Sequence, residues 1–453
     1  MRKLLQLAAI FILVAGVNLY PQTLVQPGDG TLTQAITDAK DGDVLQLVPG
    51  GQYTESTVFD FGTLHKAITI ETLDPTSTDY PVVTETANNG GTSTPDFFFV
   101  GDSGSITING IEFDGSQNGT PTAGHLVQVS VGTTVDSGFV HKIKVVNCLV
   151  HDLTGGVIDA SNSDVKGIMI VDSVFVDNCI FHNTGTSVYM KYAGCDYIKV
   201  TNSTFYNINS YGLRVAGPGE SSMPDHTAGA FIDHTTWYNV GISDPREVIL
   251  LEKGPNQNPW TVENTIIQDQ TSDSKTVINI KDLVDTSMQH DSSICMWQTG
   301  PVNWRGGVVS DTVTMDPQFA DPANGDFTLP KGSKLLTFGT DGGPIGDPRW
   351  ATNAPTAVLN NPAAQPAKFN LAQNYPNPFN PSTRINFSIK KSGMTRLVVY
   401  NILGQEVATL IRGNLSAGQH SVEFNAVNLP SGVYIYKLNS DSQTMTKKMI
   451  LMK

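Results

Sequence analysis

The sequence predicts an all-β protein, in which a parallel β-helix is followed by a small β-sandwich. Three observations lead to this fold class. A six-residue phrase returns six times between residues 109 and 269. Short β-branched and apolar runs separate its copies, and no helical pattern is long enough for βαβ crossovers. Residues 374–453 alternate apolar residues between Gly, Pro and Asn turns. A solenoid of three short strands per turn, followed by a sandwich, accounts for all three.

The repeated phrase consists of Asn or His, a small residue, a variable one, usually a large apolar one, a variable one, and then Asp or Asn. Successive copies begin 38, 31, 24, 32 and 30 residues apart, so loops vary in length while strands are kept. We expect the small and apolar positions to point inward, with Glu112 as an exception. The Asn and Asp positions should form a ladder of left-handed turns. The copies are Asn109–Asp114, Asn147–Asp152, Asn178–Asn183, Asn202–Asn207, His234–Asn239 and Asn264–Asp269.

Further elements are predicted around these copies. An amphipathic helix over Thr33–Lys40 should cap the open end of the core, and Gly42–Tyr53 should form the first coil. Additional strands between the copies are predicted at Ser187–Lys191, Gly212–Ala216, Val248–Lys253 and Thr276–Lys281.

Composition divides the 453 residues into four segments. Residues 1–22 contain basic residues and an apolar run too short to span a membrane, which is typical of a signal peptide. Residues 23–350 are the predicted β-helix, residues 351–373 a linker, and residues 374–453 the sandwich. No later stretch is apolar enough to form a transmembrane segment, and we expect a monomer.

Charge is unevenly distributed along the chain. Its net value is −14, but residues 374–453 carry nine Lys or Arg against three Asp or Glu, whereas residues 1–373 carry 19 against 39. An acidic surface repels nucleic acid, so we expect no nucleic-acid partner.

The four cysteines are too few and too irregular for a disulfide scaffold or a zinc site. Cys148 and Cys179 nevertheless occupy the same position in consecutive copies. Neighbouring parallel strands lie about 4.8 Å apart, so this pair is either bonded or two stacked buried thiols.

The residues AITDAKDGDVLQLVPGGQY, followed by the Asn-bearing copies, resemble the opening of right-handed β-helix proteins of the chondroitinase B and alginate lyase type. Ile345–Trp350, IGDPRW, is similar to the ending of secreted β-helix proteins of unassigned activity, where it would close the last coil. The resemblance covers about residues 25–350. It implies a right-handed parallel β-helix and a polysaccharide partner.

The phrases NYPNPFNPSTRINFSI, VVYNILGQEVATL, SAGQHSVEFNAVNLPSGVYIYKL and MTKKMILMK occur in order in residues 374–453. They resemble the C-terminal sorting domain of type IX secretion system cargo, which has an immunoglobulin-like fold. The resemblance implies a protein secreted to, or held at, the outer-membrane surface of a Gram-negative bacterium, with the type IX machinery as a partner. A fibronectin-like adhesion module is the alternative.

Function must lie on an outer face, because apolar side chains fill the inside of a β-helix. In the lyases that the sequence resembles, a Lys acts as base, an Arg one coil later assists, and Asn and Glu hold calcium. Lys191 and Arg214 match that separation and are the predicted catalytic residues. The stretch Thr184–Met190 has no acid where the family places its Glu ligands. No metal ligand is therefore predicted, although calcium stays open as a cofactor.

Other outward positions complete the predicted site. The predicted substrate-binding residues are Tyr189, Lys253, Asn279, Lys281, Tyr206 and Tyr238. His151 and His182 share one outward position with the last two tyrosines, where stacked rings either face sugars or stabilise the ladder. Lys and Arg on these strands also fit a solvated sheet surface without a function. Two functions follow: a polysaccharide lyase of uronate-containing glycan, or a non-catalytic surface protein for glycan binding or adhesion.

Overall fold

The computed structural model divides the chain into two compact units, residues 1–355 and 356–453. The predicted signal peptide, apart from Gln22, and most of the predicted linker lie outside the described residues. The structure describes residues 22–55, 66–85, 96–129, 137–160, 168–191, 193–216, 229–244, 246–252, 260–269, 276–281, 289–298, 303–305, 309–352, 370–371, 374, 377, 379–389, 393–401, 405–415, 418–427, 429–440 and 443–452.

The first unit is a right-handed parallel β-helix, as predicted, with strands stacked on three faces. The later strands of the first face continue around a turn into the second face, so one strand contributes to both. First-face strands are Gln22–Val25, Val44–Leu47, Ala67–Thr72, Ser105–Asn109, Ser137–Val146, Ile168–Asp177, Ala193–Ile208, Gly229–Val240, Trp260–Asp269, Gln289–Gln298 and Val309–Val313.

The second face is also built from short parallel strands in its earlier coils. They are Gly28–Asp29, Gln52–Glu55, Val82–Glu85, Glu112–Asp114, Leu149–His151 and Ile180–Thr184. The third face is a separate eight-stranded parallel sheet. Its strands are Phe98–Val100, Val127–Val129, Gly156–Asp159, Thr186–Met190, Leu213–Ala216, Ile249–Glu252, Thr276–Lys281 and Asn303–Arg305. A small antiparallel pair, Ser116–Gln117 and Thr120–Pro121, projects from one coil.

The core is a stack of apolar side chains at matching positions of successive coils. Val150, Phe181, Phe205 and Trp237 are aligned in register and have no exposed surface. The last two rings stack 3.9 Å apart at 9°. Burying each such side chain stabilises the fold by about 1.5–3 kcal/mol, so the predicted inward column carries much of the stability.

Asparagines at the coil turns form the predicted ladder. Asn147, Asn178, Asn183 and Asn207 have φ between 53° and 54°, in the left-handed region that Asn tolerates. The amide of Asn178 donates to the side chain of Asn147 at 2.8 Å, and that of Asn207 donates to Asn183 at 3.2 Å. These residues therefore hold neighbouring coils together, and the prediction of a structural role is confirmed. Cys148 and Cys179 are buried free thiols in the adjacent core positions.

The ends of the solenoid are covered in different ways. The helix Thr31–Asp38 buries Leu32 and Ile36 against the first coils, close to the predicted range. The carboxylate of Glu55 accepts the backbone N–H groups of Leu32 and Thr33 at 3.0 and 3.2 Å. It thus binds the otherwise unpaired donors of the first helical turn.

Residues 314–350 return along the outside of the solenoid, and we call them the strap. They contain short 3₁₀ helices at Pro322–Asn324, Lys334–Leu336 and Pro348–Trp350. The prediction that Ile345–Trp350 closes the last coil is wrong. Asp347 accepts a 2.7 Å hydrogen bond from Thr204, and Arg349 donates to Asn178 at 2.8 Å. The C-terminal end of the strap therefore packs on much earlier coils.

The second unit contains two antiparallel sheets, which fit the predicted immunoglobulin-like sandwich. One sheet consists of Asn370–Leu371, Ser382–Ile389 and Gly418–Asn425, and the other of Gly393–Asn401, Glu406–Leu415, Gly432–Ser440 and Gln443–Leu451. A single apolar core that includes Phe387, Leu397 and Tyr436 lies between them. In the described part of either unit, no helix has the length and apolar composition needed to span a membrane.

Candidate functional site

The third face carries a column of aligned side chains, of which Tyr189 and Arg214 are half-buried while Asp159 and Leu250 are buried. Strand register aligns Asp159 with Tyr189, Tyr189 with Arg214, and Arg214 with Leu250. The apolar neighbours of Tyr189 and Arg214 along their strands, among them Val188 and Leu213, are buried. The predicted alternation is therefore present, and it places Tyr189 and Arg214 on adjacent coils.

Arg214 lies against two tyrosine rings. Its Nη1 donates to the hydroxyl oxygen of Tyr189 at 3.1 Å and to that of Tyr211 at 3.4 Å. Its guanidinium carbon lies 5.5 Å from the Tyr189 ring centre and 5.0 Å from that of Tyr211. Burial raises the pKa of Tyr211, although the Arg214 charge opposes this shift. These contacts hold the guanidinium in place, and Arg214 as a whole is half-buried.

A second arginine lies on the other side of this cluster. The guanidinium carbon of Arg246 is 5.6 Å from the Tyr211 ring centre, and its Nε pairs with Asp244 at 2.9 Å. Sequence reasoning missed both Tyr211 and Arg246, because they precede the strands and follow no alternation. We call Tyr189, Tyr211, Arg214 and Arg246 the arginine–tyrosine cluster.

The other predicted residues of this face have different environments. Lys191 directly follows the strand Thr186–Met190 and is half-buried. Asn279 is aligned with Leu250 but buried, and its amide donates to Glu247 at 2.8 Å. Lys253 and the side chain of Lys281 lie outside the described part of the chain. The roles assigned to these residues stay predictions.

The calcium site of the resembled lyases does not fit this face. The Thr184 hydroxyl donates to the Thr186 carbonyl at 2.9 Å, and the Thr186 hydroxyl is buried without a hydrogen-bond partner. Both are hydroxyls where carboxylates would be needed for a calcium shell of oxygen ligands.

A column of rings runs along the second face. His151 and His182 stack 4.9 Å apart at 3°, and His182 and Tyr206 stack 4.7 Å apart at 17°. Phe327 of the strap lies 5.2 Å from Tyr206 and 5.6 Å from Tyr238. Tyr238 is only 5% exposed, so a sugar would reach its ring only if the strap moved.

Carboxylates surround the first ring of this column. Nδ1 of His151 lies 2.8 Å from Asp152 and 3.7 Å from Asp114, and Nε2 lies 3.3 Å from Glu112. Burial lowers the pKa of His151, but the hydrogen bonds that its ring donates to Glu112 and Asp152 outweigh burial and raise the pKa to about 9. Burial and the His151 charge lower the pKa of His182 to about 4. The column therefore contains one charged and one neutral imidazole at neutral pH.

Buried acids lie further along the solenoid, and sequence reasoning did not single them out. Both oxygens of Glu85 are buried, and neither has a hydrogen-bond partner among the described residues. Burial, together with the charges of Asp96 and Glu55, raises the pKa of Glu85 from 4.5 to about 8. Asp96 accepts a 2.7 Å hydrogen bond from His125. Alternation alone would place Glu85 inward, but it could not indicate its protonation.

Two family profiles match parts of this chain. Residues 230–350 match a domain of unknown function, DUF5123, and residues 373–452 match the secretion system C-terminal sorting domain. The chain therefore carries a C-terminal sorting domain, and the protein is secreted or located at the cell surface. No curated protein sequence matches it significantly.

Two solved structures of a PL6 family alginate lyase, AlyGC, are similar to the chain. The structure of an arginine-to-alanine mutant has 17% sequence identity and a TM-score of 0.47, and the structure without that mutation has 16% and 0.43. Each match covers 66% of this chain but only 42% of the lyase. The chain thus spans less than half the length of these lyases.

Proposed function

We propose that the protein acts outside the cell on an acidic, uronate-containing polysaccharide, which it binds at the third face and cleaves by β-elimination. The observation that carries this proposal is Arg214, held between the rings of Tyr189 and Tyr211. A planar, permanently charged guanidinium suits a carboxylate, and the half-buried ring of Tyr189 beside it suits the apolar face of a sugar. The sorting domain supports an extracellular substrate.

Elimination requires that the substrate carboxylate be neutralised before a proton leaves the neighbouring carbon. Arg214 would neutralise the carboxylate. The Lys191 amine would take the proton, the electron pair would form the carbon–carbon double bond, and the glycosidic carbon–oxygen bond would break. The leaving oxygen would receive a proton from the Tyr189 hydroxyl. Neighbouring positive charge favours the neutral amine that Lys191 needs.

Binding without catalysis is the second candidate. It is favoured by Thr184 and Thr186, which supply hydroxyls rather than carboxylates beside the predicted base. In this case, the same cluster would bind glycan on the cell surface or in adhesion.

The sorting domain supports further proposals about export. We propose that residues 1–22 direct the chain to the periplasm and that residues 374–453 engage the type IX machinery. The protein would then be released from, or attached to, the outer-membrane surface of a Gram-negative bacterium as a monomer.

The test uses the purified full chain with alginate, chondroitin or pectin, each with and without calcium. Ultraviolet absorbance follows the unsaturated product of elimination. We expect product from at least one substrate, without a need for calcium. Measurable glycan binding with no product on any substrate would reject the lyase and retain the binding protein.

A further inference from the structure

The carboxylates around His151 form a cluster that the proposed function does not use. Asp114, His151 and Asp152 each offer one ligand atom, and these atoms all lie within 4.8 Å of one another. They belong to the second face, whereas the arginine–tyrosine cluster belongs to the third. We propose that Asp114, His151 and Asp152 bind a divalent transition-metal cation, with Zn²⁺ as the representative ion.

The donor set favours such an ion. Carboxylates alone would not indicate a particular cation, but here an imidazole nitrogen, Nδ1 of His151, lies 2.8 Å from Asp152 and 3.7 Å from Asp114. These separations allow one ion to contact all three atoms after small side-chain movements, since Zn²⁺ binds nitrogen and oxygen at about 2.0–2.2 Å. One nitrogen and two oxygens suit zinc or its neighbours better than calcium, which prefers oxygen alone.

The net negative charge of the cluster also favours binding of a cation. Glu112, Asp114 and Asp152 bring three carboxylates, and His151 supplies at most one positive charge. Within the described residues, no Lys or Arg forms an ion pair with any of the three. All of them are half-buried, where water screens repulsion less well than at a fully exposed site.

Asp152 differs from the residues that directly follow it in its own ladder. The equivalent residues of the next three coils are Asn183, Asn207 and Asn239, all with φ of 53–54°. Oδ1 of Asp152 accepts the ladder hydrogen bond from Asn183 at 2.9 Å, which an Asn could also do. Oδ2 lies instead beside His151. The second carboxylate oxygen thus serves the cluster and not the ladder.

Glu112 would act as the outer partner of the site. Its carboxylate lies 3.3 Å from Nε2 of His151, on the side of the ring away from Asp114 and Asp152. Binding of the ion releases the Nδ1 proton to solvent, and a carboxylate that accepts from Nε2–H then keeps the Nδ1 lone pair toward the ion, as is common for metal-binding histidines. Glu112 therefore positions the ligand and is not itself a ligand.

The experiment titrates the chelator-treated full chain with Zn²⁺ by calorimetry and with Co²⁺ by visible absorption. We expect about one ion per chain in the wild type, loss of that binding in Asp152→Asn and His151→Gln, and a fall of about 10–100-fold in affinity for Glu112→Gln. Asp152→Asn should fold normally, because the next three coils carry Asn at this position with nearly the same φ.

The matched control is His182→Gln, which changes the stacked neighbour but no ligand. Retained binding in this variant, together with loss in Asp152→Asn at an unchanged melting temperature, would support the site. Absence of binding in the wild type, or wild-type affinity in Asp152→Asn, would overturn it. Glycan binding measured on the same samples separates this result from the proposed function, which needs only the third face.

Discussion

Arg214 lies on the third face and Lys191 directly follows the strand of the preceding coil, but the proposed chemistry gives them separable tasks. Arg214 contacts two tyrosines through its guanidinium, so its orientation is fixed, and in the proposed mechanism it would bind the carboxylate. Lys191 would act only on the proton that leaves. Removing each side chain should therefore affect binding and cleavage differently.

Lys191→Ala should abolish formation of unsaturated product while lowering glycan affinity by less than about threefold, because the proposed base acts in the transition state. Product formation and equilibrium binding are measured on the same preparation. Lys142→Ala, an exposed lysine on the first face, is the matched control. Undiminished cleavage by Lys191→Ala would remove this residue from the mechanism.

Glu85 should make the solenoid less stable at high pH. Its pKa is raised to about 8 in the folded state, so the folded protein binds a proton that the unfolded chain releases near its ordinary value of 4.5. Stability contributed by this group is therefore complete below pH 4.5 and is lost as pH rises to about 8. The loss is on the order of a few kcal/mol.

Glu85→Gln removes this titration. Thermal unfolding followed against pH should show the variant more stable than the wild type at pH 8.5, with the difference shrinking toward pH 4.5. The same difference in stability between the variant and the wild type at both pH values would contradict the claim that the buried Glu85 carboxyl is protonated in the folded protein.

Single residues of the site were only partly predictable from the sequence. Strand alternation placed Tyr189 and Arg214 side by side, because outward positions of adjacent parallel strands must align. Tyr211 and Arg246 could not be found in this way, since they lie before their strands and approach through turn geometry. The burial of Asn279 could not be predicted from the sequence either, because it depends on residues from a neighbouring coil.

At the scale of the elements, the coil depends on its turns as much as on its strands. Asn183 has φ 53°, donates to Asp152 and accepts from Asn207. An Ala there would lose both hydrogen bonds and also strain the left-handed backbone, whereas a Gly would lose only the hydrogen bonds.

We expect Asn183→Ala to lower the free energy of unfolding by about 2–3 kcal/mol and Asn183→Gly by about 1 kcal/mol less. Chemical denaturation of the two variants and the wild type measures both contributions, the lost hydrogen bonds and the backbone strain. Equal losses in Ala and Gly would mean that the left-handed turn contributes nothing.

The repeating elements were predicted well because the same sequence pattern recurs in each coil. The inward column at Phe181, Phe205 and Trp237 follows from one position of the repeated phrase. The N-terminal helix was also found, with an end two residues away from the predicted one, because its apolar spacing is helical.

At the scale of the molecule, the strap is the feature that the sequence did not predict. Its contacts join residues far apart in the chain, such as Trp350 with Thr204 and Asp347 with Thr236. These contacts have no period, so neither repeats nor alternation can indicate them. Their effect is to cover Tyr206 and Tyr238 with Phe327, and the proposed glycan site is therefore the third face.

Export should depend on the second unit as a whole. Removing residues 374–453 should keep the protein inside the cell envelope of its own bacterium, because the sorting domain would be missing. Fractionation of cells and medium measures this, with the intact chain as control. Equal amounts of both forms in the medium would show that the domain does not direct export.

The central claim is recognition of a carboxylated glycan by Arg214. Its most direct test is the affinity of the full-length wild type and of Arg214→Lys for alginate and for uncharged dextran. Lys keeps the charge but loses the planar fork and its tyrosine stacking. We predict binding of alginate only, weakened about tenfold or more in Arg214→Lys, which corresponds to about 1.4 kcal/mol. Equal affinity of both proteins for alginate, or equal binding of alginate and dextran, would contradict the claim.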